Sequence, residues 1–194
     1  MFRLIVFFYF LFNLSPAIAE SYENKEILTK IENAWNSVNT MSASFVQVNA
    51  DGTTDKGIFY LKKPYKSRFE YLNKQNEIII TNRNLLNIVD SSGYQIDGYP
   101  LGDTPLKKIM GKGINLSEIF NIKNISQIDG DYQIEVVSLS NKEFGQATFY
   151  FSKETFDLKK WEIIDELDNL TVLEFTNLQK NISLGQNLFV IRYN

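Results

Sequence analysis

Two groups of carboxylates come closest to a reactive set. Asp165, Glu166 and Asp168 lie close together, and Asp129 and Asp131 flank Gly130. Neighbouring carboxylates can divide acid and base work when their surroundings push their proton affinities apart, and spaced carboxylates hold Ca2+. Neither group has what that chemistry needs. The first follows Ile164 at a polar turn with no apolar wall to tune it, and the second lacks the spaced ligand series of a calcium loop. The chain contains no His and no Cys, which removes the commonest general base, the thiol nucleophile and the usual zinc ligands. No G-x-S-x-G, H-E-x-x-H or phosphate-cradling glycine loop is present. No catalytic residue, metal or cofactor is expected, and the chain is read as a non-enzyme.

What remains is the chemistry of apolar binding, and the stretch Gly57 to Tyr71, GIFYLKKPYKSRFEY, carries it. Phe59, Leu61 and Lys63 share one face of a period-two pattern, and Phe69 and Tyr71 share one face of the next strand. Pro64 cannot donate to a sheet ladder and should end the first strand. Lys63 then stands at the rim of an apolar face and should point inward, toward a helix beginning near Thr104. Phe45, Leu86, Ile88, Phe149 and Phe151 have the parity to extend the same face. Each aromatic taken singly is an ordinary core residue; their number on a one-sided sheet suggests a cavity that side chains do not fill.

The elements that would position them read clearly. Ile27, Leu28, Ile31, Ala34, Trp35 and Val38 give a helical stripe over residues 23–39, with Glu26 and Lys30 paired on the polar side. From Ser42 onward the period is two, in twelve short segments ending with Leu188 to Tyr193 and separated by turn signals such as Asp51-Gly52 and Asp129-Gly130. Strands that alternate apolar with polar residues have one dry face, and a sheet of eleven or so strands curls instead of staying flat. The meander is interrupted once. Asp103-Thr104-Pro105 starts a short helix, Gly111 ends it, and Asn115 to Phe120 makes another turn or two. The fold expected is mainly β with some α: an antiparallel sheet curled into an unclosed half barrel, covered by the N-terminal helix and short lid helices bearing Leu106, Ile109, Met110, Ile119 and Phe120.

Residues 1–19 read as a cleavable signal peptide: a basic start at Arg3, an apolar run from Leu4 to Leu14 too short to span a bilayer, and Ala17-Ile18-Ala19 as the cleavage pattern. Residues 20–194 are then a single exported domain, expected in the periplasm. With 20 Lys+Arg against 23 Asp+Glu the net charge is −3, and the cations are scattered, so nucleic acid is not an expected partner. A monomer is expected.

The residues Ala43-Ser44-Phe45-x-Gln47, Gly57, Leu61-Lys62-Lys63-Pro64, Arg68-Phe69-Glu70-Tyr71 and Asp103-Thr104-Pro105-Leu106 occur in an order that resembles the LolA-type outer-membrane lipoprotein carriers. The resemblance implies an apolar cavity for the acyl chains of lipoproteins, lined by Phe45, Phe59, Leu61, Phe69, Tyr71, Leu86, Ile88, Phe149 and Phe151 and closed by the lid. It also implies acylated lipoproteins as cargo, an inner-membrane ABC transporter as donor and an outer-membrane lipoprotein receptor as acceptor. Where the family typically carries Arg before the proline, this chain has Lys63, a point charge in place of a planar fork, in the position of a lid latch. Related scaffolds serve lipid- or lipoprotein-sensing domains and carriers of other lipids, and these stay open as alternatives.

Overall fold

The structure, a computed structural model, describes residues 16–72, 77–102, 104–139, 146–165 and 167–193, without the side chains of residues 16–22, 105 and 106. Residues 1–15 of the expected leader therefore lie outside the described residues, as does Glu166.

A helix α1 (Pro16–Asn36) precedes six strands: β1 (Thr40–Val48), β2 (Thr54–Lys62), β3 (Lys66–Tyr71), β4 (Ile78–Asn82), β5 (Leu85–Val89) and β6 (Gln95–Pro100). Two short helices follow, α2 (Pro105–Ile109) and α3 (Leu116–Ile119), then β7 (Phe120–Ile128), β8 (Asp131–Ser138), β9 (Gln146–Ser152), β10 (Leu158–Ile164) and β11 (Leu170–Lys180). The strands form one antiparallel sheet of 11, in the order β6-β5-β4-β3-β2-β1-β11-β10-β9-β8-β7. Every neighbouring pair but one is a hairpin. The exception, β1 against β11, joins the first and last strands and makes one sheet of two meanders.

That closure places β6 and β7, consecutive strands, at opposite edges. The segment between them, with α2 and α3, has to travel from one edge to the other. The sheet stays open, and this segment lies with α1 against its concave face.

α1 faces the sheet with Ile27, Ile31 and Trp35, four residues apart, and Glu26 pairs with Lys30 at 2.7 Å on the solvent side. It begins at Pro16, inside the segment expected to be removed. The lid helices start as their sequence suggests: the Thr104 hydroxyl accepts from Lys107 N at 3.2 Å, and the Asn115 side chain caps α3 by accepting from Ser117 N at 3.1 Å. Pro64 follows β2, and its peptide bond with Lys63 is cis.

Two expectations change. Leu188 to Tyr193 is not a strand: Gln186–Phe189 is a 3-10 turn, and only Arg192 bridges, in parallel, to Tyr94. Leu188, Val190 and Arg192 alternate with Phe189, Ile191 and Tyr193, so neither parity is cleanly polar and the period marks no face. The tail instead lies on the convex side of β3 to β5, where Arg68 Nη1 donates to Leu188 O at 3.0 Å and Ile191 packs against a small cluster of Ile78, Ile80 and Val89. The sheet is accordingly dry on both faces there, which explains the unbroken run Ile78-Ile79-Ile80.

Candidate functional site

The concave face is the candidate site. Successive registers bring Phe45, Gly57 and Tyr71 into one row, and Ala43, Phe59, Phe69, Ile79 and Ile88 into the next. A third row holds Met41, Leu61, Ser67, Thr81 and Leu86. Across the β1–β11 junction Phe45 faces Phe175, and Leu173, Trp161, Phe149 and Ile134 continue the wall.

The rings touch in a nearly continuous chain. Phe45 meets Tyr71 at 5.2 Å and Phe69 at 5.6 Å, both edge-on, and Phe59 bridges Phe69 at 4.6 Å to Phe175 at 5.4 Å. Trp161 sits 5.4 Å from Phe175 and 6.5 Å from Phe149, which reaches Phe120 at 5.7 Å. Offset and edge-to-face pairs each add to the stabilisation from burial alone.

Phe45, Phe59, Leu61, Phe69, Tyr71, Phe149 and Phe151 are all buried in this one cluster, and Leu86 packs against it half-buried. Ile88 is also half-buried, beside the edge strand β6, and is not part of that cluster. Ile109, Met110 and Phe120 are buried in the same cluster, Ile119 packs on it half-buried, and the side chain of Leu106 lies outside the described residues. The concave face and the lid are thus packed on each other.

Polar contacts hold the lid to α1. Trp35 Nε1 donates to Ile109 O at 2.7 Å, and Asn36 pairs twice with Ile114, Nδ2 to O and N to Oδ1, each at 2.9 Å. Glu32 Oε1 accepts from Leu116 N at 2.6 Å. Tyr65 N, in the β2–β3 turn, donates to Met110 O at 3.1 Å. Sequence reasoning found the apolar stripe of α1 but not this function of Trp35, Asn36 and Glu32. Their partners are backbone atoms more than 70 residues away, which no local pattern marks.

Lys63 is turned inward and only 7% exposed. Its Nζ donates to Trp35 O at 2.6 Å and lies 4.1 Å from the centre of the Trp35 ring. The contact is therefore with α1, not with α2 as its parity suggested, and Trp35 in turn grips the lid. Burial of the ammonium lowers its pKa to about 7. Tyr71 gives its hydroxyl to Gln47 Oε1 at 2.9 Å, and burial pushes its phenol up to about 12. One polar atom of the wall stands out: Trp161 Nε1 is buried with no hydrogen-bond partner among the described residues.

Replacing Asn36 with Ala leaves Ile114 N–H and C=O without their partner, a loss of about 1–2 kcal/mol. The expected result is roughly tenfold faster hydrogen exchange at the Ile114 amide with global unfolding little changed. Equal exchange in both proteins would show that this pair does not hold the lid.

The carboxylates considered first are at turns. The Asn169 side-chain amide at 3.0 Å, then the backbone N–H groups of Asn169 and Leu167, each at 2.9 Å, donate to Asp165 and hold its carboxyl below the usual range. Asp131 accepts from Lys159 at 2.7 Å. Among the described residues no group of three His, Cys, Asp or Glu side chains is placed to hold a metal, and no helix is long and apolar enough to cross a membrane.

Residues 36–192 match the family described as outer membrane lipoprotein carrier protein LolA. An outer-membrane lipoprotein carrier protein of Methylococcus capsulatus is 27% identical over 170 residues, 83% of this chain and 81% of the relative. Among solved structures, an uncharacterized conserved protein of Thermus thermophilus superposes with a TM-score of 0.53 at 11% identity, covering 89% of this chain and 99% of that one. A DUF1329 family protein of Desulfovibrio piger gives 0.51 at 12% identity, covering 87% and 96%. These two likenesses show the fold.

Proposed function

The chain belongs to the LolA family of outer membrane lipoprotein carrier proteins, and from that premise we propose that it is a periplasmic carrier whose concave face takes up the acyl chains of lipoproteins. The observation that carries this reading is the apolar wall of one open sheet, covered by helices held to it and to each other through Trp35, Asn36, Glu32, Lys63 and Tyr65. Each buried methylene is worth about 0.8 kcal/mol, so acyl chains do not cross water uncovered. A half barrel with a separable lid can exchange one apolar cover for another: the lid packs on the wall when the carrier is empty, and acyl chains replace it when loaded. The indole N–H of Trp161, without a partner among the described residues, is a donor that an ester carbonyl of such chains would satisfy.

In this reading residues 1–19 direct export, Phe45, Phe59, Leu61, Phe69, Tyr71, Leu86, Ile88, Phe149 and Phe151 contact cargo, and Leu106, Ile109, Met110, Ile119 and Phe120 form the cover. An inner-membrane ABC transporter loads the carrier and an outer-membrane lipoprotein receptor unloads it. Lys63 acts as a latch through Trp35, biasing the equilibrium toward the closed, empty form that cargo has to overcome by its differential affinity. Replacing Lys63 with Leu should leave loading intact and slow handover.

The experiment is capture of lipoproteins from cells by the purified carrier, with copurifying lipid chains identified by mass spectrometry, alongside binding of a fluorescent acyl probe. Phe59→Asp places a carboxylate in the centre of the ring chain and should reduce probe affinity at least about 100-fold, the cost of desolvating an unpaired charge. Probe binding that is absent in the unaltered protein, or indifferent to Phe59→Asp in a folded variant, counts against the carrier reading.

A further inference from the structure

The turns at one end of the sheet collect positive charge. Lys62 and Lys66 face each other across the β2–β3 hairpin as direct register partners, an arrangement that is unfavourable for like charges unless something else uses it. Arg83 stands in the adjoining β4–β5 turn, and its backbone N–H donates to Tyr65 O at 3.2 Å. The lid adds Lys107 and Lys112, drawn in by the bond from Tyr65 N to Met110 O. Lys62, Lys66, Arg83 and Lys112 are exposed and Lys107 is half-buried. A pocket of about 290 Å3 opens between Tyr65 and the lid, bordered by Lys107, Lys108 and Lys112, with Glu118 as its carboxylate.

The other half of this end of the sheet is different. There Lys159 is paired with Asp131 at 2.7 Å and Lys180 with Asp157 at 2.6 Å. In a chain of net charge −3, gathering cations around Tyr65 leaves the remainder acidic, so the molecule is polarised and would be turned by an anionic surface. Large apolar side chains stand beside the cations: Leu85 opens β5 directly after that turn and is 43% exposed, and Tyr99, the register partner of Leu86, is 50% exposed.

We propose that this end of the molecule docks on an anionic lipid bilayer, with Lys62, Lys66, Arg83, Lys107 and Lys112 against headgroup phosphates and Leu85 and Tyr99 at the interface. Four of these five cations are lysines, compact point charges on flexible stems, and the five together are spread over three segments. Such a surface senses charge density. Recognition of particular carboxylates on a protein would call for arginine forks in fixed geometry. Exposed tyrosine and leucine beside the lysines suit the headgroup boundary. The docked orientation turns the junction of lid and sheet toward the membrane. The inference rests on charge and exposure alone and holds whatever the concave face binds.

The test is cosedimentation of the protein, purified as the cell processes it, with vesicles containing phosphatidylglycerol and with vesicles of phosphatidylcholine alone. Binding to the first and not the second, weakened by added salt, is expected. Each lysine at such a surface contributes about fivefold in affinity, so Lys107→Glu with Lys112→Glu should lower it at least about 25-fold. Arg83→Glu, in a different turn, should lower it by at least fivefold or so, and Lys25→Glu on the exposed side of α1 should change nothing. Equal binding to both vesicle types overturns the proposal, as does full binding by folded Lys107→Glu/Lys112→Glu and Arg83→Glu proteins. Failure to bind either vesicle together with salt-sensitive binding of polyglutamate would assign the surface to an acidic protein and overturn the bilayer assignment. Because no acyl-chain uptake enters the measurement, its failure leaves the carrier reading untouched.

Discussion

Gly57→Ala is expected to unfold the protein or lower its melting temperature by about 10 °C, the consequence of losing roughly 3 kcal/mol or more. The requirement at Gly57 is space. A Cβ there would collide with the carbonyl oxygen of Glu70 on β3 and come within 2.6 Å of the edge of the Phe45 ring. Phe45 lies across the glycine, and this is what brings it into edge-to-face contact with Tyr71 and Phe69. Shortening the ring in the double variant Gly57→Ala/Phe45→Leu should recover little, because the backbone carbonyl belongs to the ladder between β2 and β3 and cannot step aside. Thermal unfolding followed by circular dichroism measures both. A shift of less than about 2 °C in the single variant would mean that the two strands separate here at little cost.

The second large effect belongs to Lys63. In the unfolded chain a lysine titrates near 10.4, and in the folded protein burial brings Lys63 to about 7. Between those values the unfolded chain holds the proton that the folded one has released, so the linkage makes stability rise with pH. Below the folded pKa both states are protonated and the cost of burying the charge is fully present; above the unfolded pKa it is gone. The span is of the order of 3 kcal/mol once the water that still reaches the ammonium is allowed for.

Lys63→Met should therefore flatten the rise between pH 7 and 10, and near pH 10, where the amine keeps its bond to Trp35 O with no charge left to desolvate, it should lower stability by about 1 kcal/mol. It leaves Trp35 O satisfied, because Val38 N also donates to that carbonyl at 3.1 Å. Urea denaturation of both proteins across this pH range is the measurement. A neutral-pH gain of stability in Lys63→Met would show that desolvation of the ammonium outweighs the bond to Trp35 O and the Trp35 ring, and that Lys63 does not latch the lid.

These two residues also mark how far the sequence could be read. The parity that put Phe59, Leu61 and Lys63 on one face follows from local alternation, and so does the end of β2 before Pro64. The helical stripe of Ile27, Ile31 and Trp35 is equally local, as are the capped starts of α2 and α3. Period and turn chemistry act over a few residues, and where they agree the element and its dry face are settled without reference to the rest of the chain.

What they could not settle is which distant surfaces meet. The pairing of β1 with β11, register partners more than 120 residues apart, is decided by the sheet as a whole. It sends β6 and β7 to opposite edges and the intervening segment across the concave side. Lys63 finds Trp35, and Trp35 finds Ile109, only once that crossing has been made. The C-terminal residues, apolar on both parities, read as a strand, yet the convex face of β4 and β5, with Ile78, Ile80 and Val89 in need of cover, took Ile191 instead. Local pattern fixes what each segment can bury; the burial of the whole apolar surface, a non-directional term that grows with area, selects among the ways of doing so, and only the assembled sheet has those surfaces to offer.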